Sequence, residues 1–149
     1  MNDKLKLLAP DLTREFPRSP RETLGGYVIA ARTLDKCRAV LAQTEGEYHF
    51  NCPLDQIFLS YAGIDADAFQ DFVATGADDE EVAAWIEKNA VSRPRIEIIR
   101  WNNGLREKRL SELPEETMEY MEDYIPKFVP STRPVYVWFD VYDLEEQRL

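Results

Sequence analysis

The chain has 149 residues, 44% of them apolar and 11% aromatic, enough to close a hydrophobic core and to exclude a disordered chain. Its 28 acidic residues against 18 basic ones leave a formal charge of −10 and a pI near 4.6. That balance excludes sequence-independent binding of nucleic acid, which needs lysines and arginines to displace phosphate counterions.

No stretch approaches the ~20 apolar residues of a membrane helix, and Leu5 to Ala9 is too brief for the core of a signal peptide. A cytoplasmic, soluble protein with no membrane partner is expected, with Cys37 and Cys52 kept as reduced thiols. With no repeat and no low-complexity linker, residues 1–149 read as a single domain, of which 1–18 form an extended N-terminal arm.

Ser19-Pro20-Arg21-Glu22 carries a serine N-cap, a proline at the first helical position and a glutamate at the third, and Leu24, Tyr27, Val28, Ala31, Leu34 and Leu41 follow at helical spacing. The pattern predicts a long first helix over about 20–43. Gly25 and Gly26 would be costly inside it, so they imply either the close approach of another backbone or a local break. Asn51 and Pro53 open a helix through Leu54, Ile57, Phe58 and Tyr61 that stops at Gly63. Asp65 caps one through Phe69 and Val73 that stops at Gly76, and Asp78 with Glu81 forms a capping box before Val82, Trp85 and Ile86.

Beyond residue 90 the signals divide. Pro94 to Leu105 fits a helix, while Ile96, Ile98 and Arg100 followed by Asn103-Gly104 also fit a strand and hairpin turn; the helix is preferred. Pro114-Glu115-Glu116 starts a helix that Pro126 should end. Val135 to Tyr142 has the strongest β propensity, yet Val135, Trp138, Phe139 and Tyr142 also share a helical face. The fold class expected is all-α: a compact multi-helix domain with a long first helix and, as an alternative at the C-terminus, one short β element.

Several strings resemble one bacterial family of unknown function: Leu8-Ala9-Pro10-Asp11-Leu12, Phe16-Pro17-Arg18-Ser19-Pro20-Arg21-Glu22-Thr23-Leu24-Gly25-Gly26-Tyr27 and Leu34-Asp35-Lys36-Cys37-Arg38-Ala39. Gly46-Glu47-Tyr48-His49-Phe50, Cys52-Pro53-Leu54-Asp55 and Trp138-Phe139-Asp140 continue the likeness. The resemblance implies a bacterial single-domain protein and transfers no activity, cofactor or catalytic residue.

Charge is distributed unevenly. Residues 1–38 are net +3, residues 39–91 net −10 and residues 92–149 net −3. On the predicted first helix Arg38 falls within the apolar arc with Asp35 on its flank, and a charge at a core-facing position must be paired or must snorkel outward. The segment Glu47-Tyr48-His49 follows a turn at Gly46 that would fold it back toward Arg38. Together Arg38, Asp35, Glu47, Tyr48 and His49 define a candidate pocket for an anionic small molecule.

Other chemistry is weakly signalled. His49-x-x-Cys52 with Asp55 or Cys37 falls short of a zinc pattern, so no metal and no cofactor are predicted. Both cysteines read as structural thiols. Asp78-Asp79-Glu80-Glu81 reads as a solvated helix start, and the aromatic surplus near the C-terminus would suit a homodimer interface. Two functions follow: a small helical binding or interaction domain without catalysis, which is preferred, and a small-molecule-binding protein or enzyme built on the five-residue pocket.

Overall fold

A computed structural model describes residues 2–149, and the chain is mostly helical, as its periodicity predicts. It divides into two compact units, one ending at Ile98 and one spanning Ile99–Leu149.

The first unit opens with α1 (Asp3–Leu8), capped by the Asn2 side chain, which accepts from the amides of Lys4 and Leu5. Residues 1–18 are expected as an extended arm, but the described part is helical at α1 and is docked. Leu5 and Leu12 are buried, the Leu12 amide donates to the Thr44 carbonyl at 2.8 Å, and the Thr44 hydroxyl returns a bond to the Pro10 carbonyl at 2.8 Å.

The largest departure from expectation is the start of the long helix. Ser19 and Glu22 do exchange bonds: the Ser19 amide donates to Glu22 Oε2 and the Glu22 amide to the Ser19 carbonyl. They close a single turn rather than a helix. β1 (Thr23–Leu24) and β2 (Tyr27–Val28) then pair antiparallel, with Thr23 opposite Val28 and Leu24 opposite Tyr27. Gly25 and Gly26, at φ +60° and +92°, form the reversal between them; two successive positive φ angles define the hairpin turn that glycine favours. A Cβ on Gly25 would lie 3.1 Å from Ile86 Cγ2 and 3.2 Å from the Ala83 carbonyl oxygen, so both a break and a close neighbour occur here.

Helix α2 therefore begins only at Ala30 and runs to Ala42. Ile29 precedes it at φ +74°, fully buried, its amide held by the Pro20 carbonyl at 2.8 Å. A β-branched residue in that region is strained and persists only where its surroundings over-determine it. Every residue of α2 from Ala30 to Ala39 is buried, so it is the central helix of the unit.

Around it lie α3 (Pro53–Ala62), α4 (Ala66–Val73) and α5 (Asp79–Asn89). α3 is capped at Cys52, one residue later than predicted, because Asn51 is left-handed at φ +64°. Gly63 ends it and Asp65 caps α4, while Asp78 and Glu81 close the predicted capping box on α5. Phe58, Phe69, Leu34, Leu59 and Ile86 are fully buried among them, and the Phe69 ring lies 6.5 Å from Phe58 and 5.9 Å from Trp85.

α6 (Arg95–Arg106) takes the helical alternative and carries the chain from the first unit into the second. In the second unit a short 3-10 turn (Leu110–Glu112) precedes α7 (Glu115–Phe128). α7 passes through Pro126 instead of ending there: Pro126 lies in the last turn, so its missing N–H removes one bond, and the Val129 amide still donates to the Ile125 carbonyl at 2.9 Å.

α8 (Trp138–Glu145) is the helical reading of the segment with strong β propensity. The Asp140 carboxylate accepts from the amides of Tyr136 and Val137, each at 3.0 Å, and so caps the helix from its third residue. Among the described residues the only strands are β1 and β2, and no helix is long and apolar enough to cross a membrane.

Candidate functional site

The burial of α2 forces its charged residues to find partners, because an unpaired charge in a core costs several kcal/mol. Arg32, Asp35, Lys36 and Arg38 are all buried, and all lie on this one helix. Two clusters result.

The first is built on Asp35 and Arg38. Arg18, in the segment before the Ser19 turn, donates to Asp35 through its backbone amide at 2.8 Å, through Nε at 3.0 Å and through Nη2 at 2.9 Å. Its remaining nitrogen, Nη1, reaches Asp79 Oδ2 at 2.9 Å. Arg38 Nη1 takes the other oxygen of the same carboxylate at 2.8 Å, and Nη2 donates to the Ala77 carbonyl at 2.9 Å.

Burial alone would push the Asp79 carboxyl up; the hydrogen bonds from Arg38 and Arg18 outweigh it and hold the carboxyl below its usual range. Burial likewise opposes the charge on Arg18, but the bonds it donates to Asp35 and Asp79 prevail and raise its pKa above the ordinary guanidinium value.

This network floors an open groove of about 780 Å³. Five carboxylates line it, from Glu15, Asp35, Asp78, Asp79 and Glu80, against the guanidinium groups of Arg18 and Arg38. Leu7 and Phe16, which also line it, are 87% and 47% exposed.

The second cluster is built on Lys36. Its Nζ lies 2.9 Å from Asp55 Oδ1 and 3.1 Å from Cys52 Sγ. The Thr33 hydroxyl donates to the same Asp55 oxygen at 2.7 Å, and the Asn51 amide donates to Oδ2 at 2.9 Å. Asp55 is fully buried, the Lys36 side chain is 4% exposed, and Cys52 is half-buried. Cys37, next to Lys36 in the chain, is a different kind of thiol. Burial foremost, and then the charge of Asp55, push it well above the ordinary thiol range, against a smaller pull from Arg38.

Of the five residues of the predicted pocket, Asp35 and Arg38 meet in one network, joined through Arg18 and Asp79 rather than directly. Tyr48 is half-buried with its ring 5.6 Å from the Arg32 guanidinium carbon. Glu47 and His49 are exposed, and neither lines the groove. Among the described residues no three His, Cys, Asp or Glu side chains converge as a metal site.

Arg18, Asp79, Lys36 and Asp55 have no place in the pocket expected from sequence. Asp79 is hidden inside an acidic run that suits any helix start, and Lys36 looks like a solvent-facing residue on a one-sided helix. The available signal is composition: four charged residues in a 13-residue helix whose other residues, Thr33 apart, are all apolar.

A family model described as a domain of unknown function, DUF5069, matches residues 14–148, a span that includes both clusters. No curated protein matches the chain.

Proposed function

We propose, for a chain that belongs to the DUF5069 family of domains of unknown function, that it is an interaction domain without catalysis. Its groove would receive a basic segment of a partner protein that carries an apolar side chain. The observation that carries this reading is the fate of Arg38: Nη1 is taken by Asp79 and Nη2 by the Ala77 carbonyl, so its charge is matched before any ligand arrives.

With Arg18 matched in the same way, the groove lining holds a surplus of three negative charges beside exposed Leu7 and Phe16. Charge complementarity then favours lysines and arginines on the partner, which would steer association and make it sensitive to salt. A cytoplasmic setting suits the free thiols of Cys37 and Cys52.

The second reading, an anionic small molecule at Arg38 and its neighbours, draws on one observation: Arg38 Nε is buried without a hydrogen-bond partner.

Fluorescence anisotropy separates the two. Lysine-rich peptides with a central leucine or phenylalanine should bind, bind more weakly in high salt, and lose binding when Glu15 and Glu80 are both changed to lysine. Equal binding of glutamate-rich peptides would sink the reading. A thermal shift with anionic metabolites that disappears in Arg38→Met would favour the alternative.

A further inference from the structure

The Lys36 cluster plays no part in the groove, and its chemistry differs. We infer that Cys52 is a covalent modification site, a thiol oxidised by hydroperoxides with Lys36 as the proton donor to the departing oxygen.

Cys52 does not stand alone. It occupies the N-cap of α3, half-buried and so within reach of a small reagent, whereas Cys37 is fully enclosed. The Lys36 ammonium, nearly completely buried, is aimed at its sulfur at 3.1 Å, with the sulfur as acceptor.

An ammonium has three N–H donors. One is spent on Asp55 and one on Cys52, and among the described residues the third has no partner. Asp55 is itself fixed by Thr33 and the Asn51 amide, so the ammonium is held in place by groups from both α2 and α3. This is the arrangement of a positioned acid beside a sulfur: a proton-carrying neighbour in contact with the reacting atom, and a third group that orients the neighbour. The charged groups facing Cys52 from the packed helices are thus Lys36 of α2 and Asp55 of α3, while Glu47 and His49 of the preceding loop are exposed.

The step balances with a hydroperoxide as the oxidant. A sulfur lone pair attacks the terminal peroxide oxygen, the S–O bond forms and the O–O bond breaks. Sulfur loses two electrons and the peroxide gains them. The departing oxygen takes a proton from Lys36 Nζ, which is replenished from water, and the thiol proton passes to solvent. The products are Cys52 sulfenic acid and an alcohol, or water when the oxidant is hydrogen peroxide. An external thiol reverses the change through a mixed disulfide.

The test uses the whole chain and hydrogen peroxide, with a 1,3-dicarbonyl trap and mass analysis of the peptides. The trap should mark Cys52 and leave Cys37 unmarked. Lys36→Met should slow trapping by about a hundredfold, the usual contribution of a positioned acid. It should change alkylation by iodoacetamide much less, since iodide leaves without a proton. A lysine that only supports the fold would slow both reagents alike or neither.

Because Lys36→Met strands the Asp55 charge, Lys36→Met with Asp55→Asn provides a second variant, and circular dichroism reports whether each is folded. Oxidation confined to methionines, or equal effects of the folded variants on both reagents, would overturn the assignment.

Discussion

Arg18 and Arg38 divide one carboxylate between them, each holding a different oxygen of Asp79, at 2.9 and 2.8 Å. The segment before the hairpin, the central helix and the start of α5 are thereby tied at one point. Arg38→Met removes the buried member, leaving the Ala77 carbonyl unbonded and Asp79 with Arg18 alone, and should cost about 3 kcal/mol. Asp79→Asn should cost less, since its side chain is 46% exposed. In a double-mutant cycle by urea unfolding the two losses should fall short of additive, and full additivity would show that the shared carboxylate does not couple them.

The same carboxylate gives the protein an acid limit. Arg38 and Arg18 outweigh burial and hold Asp79 below its usual range, so its contribution to stability is complete at neutral pH. The contribution begins to fall near pH ~4, where the unfolded chain first takes up the proton, and is lost as pH drops through the lower folded value. Urea midpoints measured down through the acid range should therefore fall less steeply for Asp79→Asn than for the wild-type chain.

The two hairpin glycines should respond unequally to alanine. Gly26 has positive φ but open space around it, so Gly26→Ala should cost about 1 kcal/mol from backbone strain alone. Gly25→Ala adds a Cβ against the Ala83 carbonyl and Ile86, and its melting temperature should fall further. Equal losses would mean that α5 yields to the hairpin.

Thiol counting checks the contrast between the two cysteines. A charged aromatic disulfide should titrate one thiol per native chain, at half-buried Cys52, and a second only in denaturant, when Cys37 is released. Two native thiols would contradict the enclosure of Cys37.

At the other end of the chain, Asp140→Ala removes the acceptor for two amides at the start of α8 and should cost about 1 kcal/mol, with Asp140→Asn recovering part of it. Thermal unfolding of the two variants provides the comparison.

The helices that declare themselves in sequence are those with local punctuation. Asp65, Asp78 with Glu81, and Gly63 each act through hydrogen bonds within a few residues, and each does in the structure what its position predicts. Ser19-Pro20-Arg21-Glu22 has the same local chemistry, and its bonds form. What ends that turn is Gly25-Gly26, whose left-handed angles give β1 and β2 a hairpin that buries Leu24, Tyr27 and Val28.

The candidate site was half legible. Asp35 and Arg38 stand out because charge interrupts an apolar arc, but their partners Arg18 and Asp79 come from distant segments, and no local pattern marks them. Lys36 and Asp55 are hidden for another reason: amphipathic reasoning assumes a solvent face, and α2 has none along Ala30–Ala39. Val135–Tyr142 shows the converse, a segment whose β propensity yields to one carboxylate, Asp140, placed to cap a helix.

An apolar helix enclosed on all sides could slide or turn in its sheath, since one leucine or alanine contact resembles another. α2 cannot. Turning it by a single residue would part Asp35 from Arg18, Arg38 from Asp79 and Lys36 from Asp55 together, three losses with nothing gained. Asp35, Lys36 and Arg38 thus act as the teeth of a key, admitting one angular setting of the central helix and, with it, one arrangement of the segments that surround it.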